Sequence, residues 1–453
     1  MIGSRAYVGL LVVVSVIGVL VSIAAWCFLE GVFQIQQELF VRIPHGLGYE
    51  NGPPNWWFLL VLAGGALIVA LAITRLPGGG GHIPAKGLSA GSPLGPSAIP
   101  GVILAGLGTL GFGLVLGPEA PLIAMGGGLA AWTISLARRD APPQMMMLVA
   151  AAGSFAALSF VFTNPIIAAV IMIEVIGLGG PKLRVVLVPG VLAAGIGTVV
   201  SLGIGSLSGL STHDYALGPL PLSALGHLKA GEFGWAIVFG IAVAAVASPL
   251  TRGGLLTYRV VSRRPLLVIL PAVGLIIGAL AIAFSKITGK GVDEVLFSGQ
   301  DQLPGLVSQA GTWSLAGLAW LVVFKGLAYS LSLGSFRGGP VFPALFLGAA
   351  AGIMASHLPG FPLPAALPVT IGAAMVAVLR QPLAAIIVAT LLTSHAGGNP
   401  VPLTIVGVVA AYVATMAIKR RWPEQAPEPT PVSSVTTETS PAAHPPLAGV
   451  GEA

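Results

Sequence analysis

One carboxylate stands inside an apolar run: Gly117-Pro118-Glu119-Ala120-Pro121, leading into Leu122-Ile123-Ala124-Met125-Gly126. An ionisable group at membrane depth is costly and usually marks a path for ions or protons. Proline suits the first turn of a helix, so a helix starts at this motif. A carboxylate beside a helix N-terminus occupies the place an anion would take. Together these residues imply anion passage past an acidic gate.

Two more Gly/Pro loops offer the same backbone chemistry. They are Gly78-Gly79-Gly80-Gly81-His82-Ile83-Pro84 and Gly338-Gly339-Pro340-Val341-Phe342-Pro343. Glycine lets a ligand approach the backbone closely. The helix that follows each loop presents free N–H groups and a partial positive charge. Three such ends, brought together, would hold a dehydrated anion firmly enough to admit it and loosely enough to release it. Backbone amides of Gly80, Gly81, His82, Ile83, of Ala120 and Leu122 (Pro121 between them offers none), and of Val341 and Phe342 beside Gly339 are the candidate anion ligands. Lys325 and Arg337 flank the third loop; each either steers anions or is held by an acid or the interface. Arg380 reads as structural. A second intramembrane acid, Glu174, lies in Ile171-Met172-Ile173-Glu174-Val175-Ile176.

The elements that carry these residues are membrane helices. Only 8% of the 453 residues are charged and 55% are hydrophobic, with a mean hydropathy of +0.94. That composition excludes a soluble domain. Apolar stretches recur at about 7–29, 57–74, 98–137, 145–176, 185–205, 233–248, 265–284, 313–331, 340–356, 364–379, 383–394 and 401–418. Several are too short to cross a bilayer alone, and others are interrupted by Gly or Pro. Broken helices are tolerated where the backbone lines a cavity or is buried in protein. The fold expected is therefore an all-α polytopic membrane protein of broken, tilted helices. The single Cys27 excludes an intrachain disulfide and reads as an apolar packing residue. The net charge of +6 does not indicate nucleic acid. Arg138-Arg139, Arg263-Arg264 and Lys419-Arg420-Arg421 sit at segment ends, as cytoplasmic flanks do.

The chain repeats itself. Gly117-Pro118-Glu119-Ala120-Pro121 and Gly339-Pro340-Val341-Phe342-Pro343 each open a helix of small residues, with Gly126 and Gly348 five residues beyond the last proline. A second proline-started helix follows each: Asn164-Pro165 after 44 residues from Pro121, and Gln381-Pro382 after 39 from Pro343. Matching Gly/Pro breaks in two halves place a binding site at the repeat interface. Residues 1–421 are read as one transport domain, with repeat halves of about 60–205 and 233–418. Residues 422–453 are read as a disordered cytoplasmic tail, and 30–56 as an external loop.

With those motifs in order, the chain resembles the CLC family of chloride channels and chloride/proton antiporters. That family carries Gly-Ser-Gly-Ile-Pro, Gly-Lys/Arg-Glu-Gly-Pro and Gly-x-Phe-x-Pro loops in this sequence. Here they read Gly80-Gly81-His82-Ile83-Pro84, Gly117-Pro118-Glu119-Ala120-Pro121 and Gly339-Pro340-Val341-Phe342-Pro343. The resemblance spans about residues 1–420. It implies inverted repeats, chloride or a similar small anion as cargo, and a homodimer with one pathway per subunit. It also implies a plasma-membrane location with both termini in the cytoplasm. Helices near 165–176, 187–203, 366–379 and 383–394 would form the dimer surface. Glu119 becomes the gate, blocking an anion site when ionised and swinging away when protonated.

The departures from the family pattern are specific. Gly81 stands in place of a serine that contacts chloride. His82 replaces a glycine, Pro118 a basic residue, and Pro340 removes an N–H. The family's pore tyrosine, placed two residues after the proline of Gly397-Gly398-Asn399-Pro400, falls on Pro402. The antiporters' inner proton-relay glutamate falls on Val175, next to Glu174, and adjacent helical residues point about 100° apart. Passive conduction and proton exchange therefore both stay open. An enzymatic reading rests on Gly87-Leu88-Ser89-Ala90-Gly91, which lacks the strand–turn–helix setting of a hydrolase. The seven histidines form no metal motif, and no cofactor is expected. A cation path would need more acids at the midplane than Glu119 and Glu174 supply.

Overall fold

The computed structural model describes residues 5–50, 52–88, 95–138, 140–177, 180–208 and 217–422. Ser89 and nearly all of the C-terminal tail lie outside them. The first half runs α1 (Arg5–Gln37), α2 (Ile43–Gly46), α3 (Asn55–Arg75), α4 (Ile99–Leu110), α5 (Glu119–Ala137), α6 (Pro143–Phe162), α7 (Pro165–Ile176) and α8 (Gly180–Ser208). The second runs α9 (Ala230–Val261), α10 (Leu266–Thr288), α11 (Gln302–Ser308), α12 (Leu315–Ser335), α13 (Val341–Ser356), α14 (Leu363–Leu379), α15 (Pro382–Leu392) and α16 (Val401–Arg421). Nine helical stretches among the described residues are long and apolar enough to cross a membrane. Others, including α7, α13 and α15, are short apolar helices. This is a multi-pass membrane protein.

The two halves pack alike. α5 lies on α6 as α13 lies on α14, and α6 on α8 as α14 on α16. α1 packs on α6 and α8 in the way that α9 packs on α14 and α16. The repeat therefore extends to α1, beyond the boundary at residue 60 that the motifs alone indicate. Local geometry repeats too. Thr163 and Arg380, the residues two before Pro165 and Pro382, are both left-handed, with φ of 48° and 61°. Each ends one helix so that the next can start at a proline.

Gly126 and Gly348 mark close helix crossings. A Cβ on Gly126 would meet the Gly153 carbonyl at 2.6 Å, and one on Gly348 would meet the Ile371 Cα at 2.8 Å. Small residues let membrane helices approach backbone to backbone, where dispersion rather than water drives packing.

Residues 30–46 are not the loop expected from their polarity. α1 continues through a π-helical turn (Glu38–Arg42) into α2. The polar side chains pair along the helix: Gln34 Nε2 donates to Glu30 Oε1 at 2.6 Å, and Arg42 pairs with Glu38 at 2.6 Å. Partners four residues apart support a helix instead of ending it. Cys27 is exposed on α1 and does not pack inside.

Candidate anion-binding site

Two proline corners build the centre of the molecule. Pro118 and Pro340 are the N-caps of α5 and α13, with nearly identical backbone angles (φ −80°, ψ −7° and φ −87°, ψ −7°). An isolated antiparallel bridge locks them face to face. Gly117 N donates to Gly339 O at 2.7 Å, and Gly339 N to Gly117 O at 2.5 Å. The N-termini of two helices from opposite halves thus converge. Their partial positive ends add in one place.

Glu119 fills that place. It is the first residue of α5 and fully buried. Its Oε1 accepts the Phe342 amide at 2.8 Å, with the Val341 amide and its own also facing the carboxylate. The side chain of the first half therefore plugs the helix N-terminus of the second. Oε2 is buried and takes no hydrogen bond among the described residues. The carboxylate lies over Gly117 and Gly339, and a Cβ on either residue would overlap it. The glycines of both motifs form the cradle of this side chain.

Other groups fix the corner. Phe342 stacks on Phe162, with ring centroids 5.2 Å apart. The Tyr329 hydroxyl, fully buried on α12, donates to Pro340 O at 2.7 Å. Sequence reading missed Tyr329. Its only signal was a lone phenol in the apolar helix before the third loop. Ala120 is buried beside Glu119. Leu122, expected to offer a free amide, instead donates to Pro118 O at 3.0 Å inside the helix.

The first loop joins this centre through Arg337. Gly78, Gly79, Gly80 and Gly81 all have positive φ, from 56° to 96°, which side chains oppose. The amide of Gly81 closes the turn on Gly78 O at 3.0 Å, so it is already engaged. His82 is held by Gly87 O, and Lys86 N donates to Ile83 O at 3.0 Å. Arg337 Nε donates to Gly79 O at 3.1 Å and Nη1 to Phe336 O at 3.2 Å. Lys325 has a different task. Its ammonium donates to the carbonyls of Glu294, Val295 and Leu296 at 2.9, 3.3 and 3.0 Å, and sits 4.3 Å from the Phe346 ring centre. It ties down the loop before α11.

Glu174 lies apart from Glu119. Its oxygens accept Leu383 N at 3.0 Å and Ala384 N at 2.7 Å, so it caps the N-terminus of α15. Pro402 does not line the site. It is exposed in the first turn of α16, which packs on α9, α14 and α15. The adjoining Asn399 is tied to the Leu225 and Gly226 carbonyls at 3.0 and 2.7 Å. Matching the Gly-Gly-x-Pro motif placed Pro402 wrongly, because that turn starts a peripheral helix here. α14 also leaves the expected dimer surface, since nearly all its residues are buried within the subunit.

Apolar spans around two converging helix N-termini and a buried carboxylate define a membrane transport protein rather than an enzyme. The sequence model of the family described as voltage gated chloride channel matches residues 65–415. The chain belongs to this family, the CLC family of anion channels and transporters. It is similar to the YfeO ion-transport protein of Escherichia coli strain SMS-3-5, 30% identical over 338 residues, 72% of this chain and 74% of that protein. Its fold is similar to a crystal structure of a CLC-type fluoride/proton antiporter, with a TM-score of 0.64 at 18% identity over 90% of this chain and 96% of that one. It is also similar to a slow cyanobacterial Cl−/H+ antiporter, with a TM-score of 0.63 at 18% identity over 89% and 98% of the two chains.

Proposed function

We propose that the chain carries chloride or similar small anions across the plasma membrane, with Glu119 as its gate. The supporting observation is the Glu119 carboxylate on the Phe342 amide, at the mouth of α13. A free anion would take the same donors. Ionised, the carboxylate competes with the anion; protonated, it loses that advantage and turns away. The gate opens toward the Gly80–Ile83 loop on one side. On the other is a cavity of about 40 Å³ lined by Gln36, Pro118, Ser298 and Gln300 among others.

Passive conduction and proton exchange share this gate. The exchange reading would use an inner path near Glu174. Both Glu174 oxygens are engaged on α15, which supports a capping role and leaves Glu119 as the group that takes up a proton. The subunits pair through the outer faces of α7, α8 and α15, and both termini lie in the cytoplasm. Anion efflux from proteoliposomes, read together with pH, tests the proposal. Efflux without proton movement marks a channel, stoichiometric proton uptake marks an exchanger, and no anion flux sinks both.

A further inference from the structure

We infer that Arg337 is a direct anion ligand on the inner side of Glu119, its guanidinium set between the first glycine loop and the third. This rests on the anion-transport reading above and names a ligand that reading does not contain.

Arg337 is only 9% exposed. A guanidinium has five N–H donors. Nε and Nη1 donate to Gly79 O and Phe336 O, and Nη2 has no partner among the described residues. No ion pair joins its charge to a carboxylate among the described residues. Burying a cation without a counter-ion is costly. Lys325 shows the contrast: it is fully buried, but its three donors all reach carbonyls and its charge faces an aromatic ring. Arg337 is held in position and left incomplete. A small anion would complete it.

The surroundings fit that cargo. His82, Lys86 and Tyr258 act electrostatically at this corner, and none of them is a carboxylate. Lys86 sits over the Tyr258 ring at 5.1 Å, near the end of α9 that leads to Arg263 and Arg264. This is the basic, cytoplasmic end. The cavity beside Pro118 is at the opposite end, where α3 begins and Trp57 Nε1 donates to Leu39 O at 2.7 Å. Glu119 therefore lies between the outer cavity and Arg337. Gly81 cannot regain a hydroxyl cheaply, since its φ is +96° and a Cβ would press Val102 at 3.2 Å. A side-chain donor has to come from another element. Arg337 is the charged residue that spans both loops.

Two measurements decide the matter. In the first, chloride efflux is measured against chloride concentration for wild type, Arg337→Gln and Arg337→Lys. Half-saturating chloride should rise about ten-fold or more in the glutamine variant, the worth of one charged hydrogen bond, and largely recover with lysine. A purely structural tie would lower thermal stability and leave half-saturation unchanged, and that result overturns the inference. In the second, crystals of the wild type are soaked in bromide. An anomalous peak within hydrogen-bond reach of Arg337 Nη2 supports the inference even if the glutamine variant does not fold. Peaks elsewhere along the pathway, with none at Arg337, overturn it and leave anion transport standing. A wild type that moves no anion overturns the transport reading itself.

Discussion

At the scale of residues, a carboxylate and two glycines make one device. Glu119 reaches across the repeat to Phe342 only because Gly117 and Gly339 carry no Cβ. Gly339→Ala should expel the carboxylate while leaving the backbone free to fold. The open population should rise about ten-fold, the worth of a charge-assisted hydrogen bond. Flux should become as insensitive to pH as in Glu119→Gln. Flux with unaltered pH dependence would show that the carboxylate does not rest there. Tyr329→Phe leaves the Pro340 carbonyl buried and unpaired, at a cost of about 1–3 kcal/mol. A thermal melt in detergent reads that loss, and an unchanged midpoint would deny the hydroxyl its role. Glu119 and both glycines were legible in the sequence because the motif keeps them adjacent. Arg337 reaches Gly79, 258 residues away, and Tyr329 reaches across a loop to Pro340 at the start of the next helix, so no local pattern announces their partners.

At the scale of elements, helix ends carry the chemistry and helix crossings carry the stability. Glu119 on α13 and Glu174 on α15 are the same arrangement twice: a carboxylate of the first half caps a helix of the second. Glu174 caps where Gln381 offers no side-chain cap, whereas Asn164 serves the matching α7 itself. Glu174→Gln should therefore cost about 0.5–2 kcal/mol of stability and leave anion flux and its pH dependence in place. Loss of proton coupling in a fully stable variant would instead assign Glu174 to a proton path. The sequence revealed where most helices start, since proline and glycine punctuate them. It misled at residues 30–46, where polar side chains satisfy one another along a helix, and at Pro402, where a shared motif opens a different element.

At the scale of the whole molecule, two halves facing opposite ways create a site that neither contains alone. The hydrogen bonds between Gly117 and Gly339 stitch them at that point. Outward faces remain apolar: Ile166 on α7, Val199 and Leu202 on α8, and Leu383 on α15 are 55%, 68%, 64% and 48% exposed. Pairing of two subunits would cover them. Val199→Trp with Leu202→Trp should shift crosslinked protein in lipid from dimer to monomer, while each subunit keeps its own pathway. Crosslinking that finds only monomers in the wild type would contradict the pairing. Composition and the repeat made the membrane class and the two-fold design readable. The largely internal position of α14 was not readable, because a helix apolar on every side suits protein and lipid equally.

The measurement that bears most directly on the gate is anion efflux from proteoliposomes for wild type and Glu119→Gln across a range of external pH. Flux in the wild type should rise as the pH falls, because protonation releases the carboxylate from the Phe342 amide. The variant should conduct at a high rate with no dependence on pH. A glutamine variant that follows the pH profile of the wild type would contradict the assignment of Glu119 as the gate.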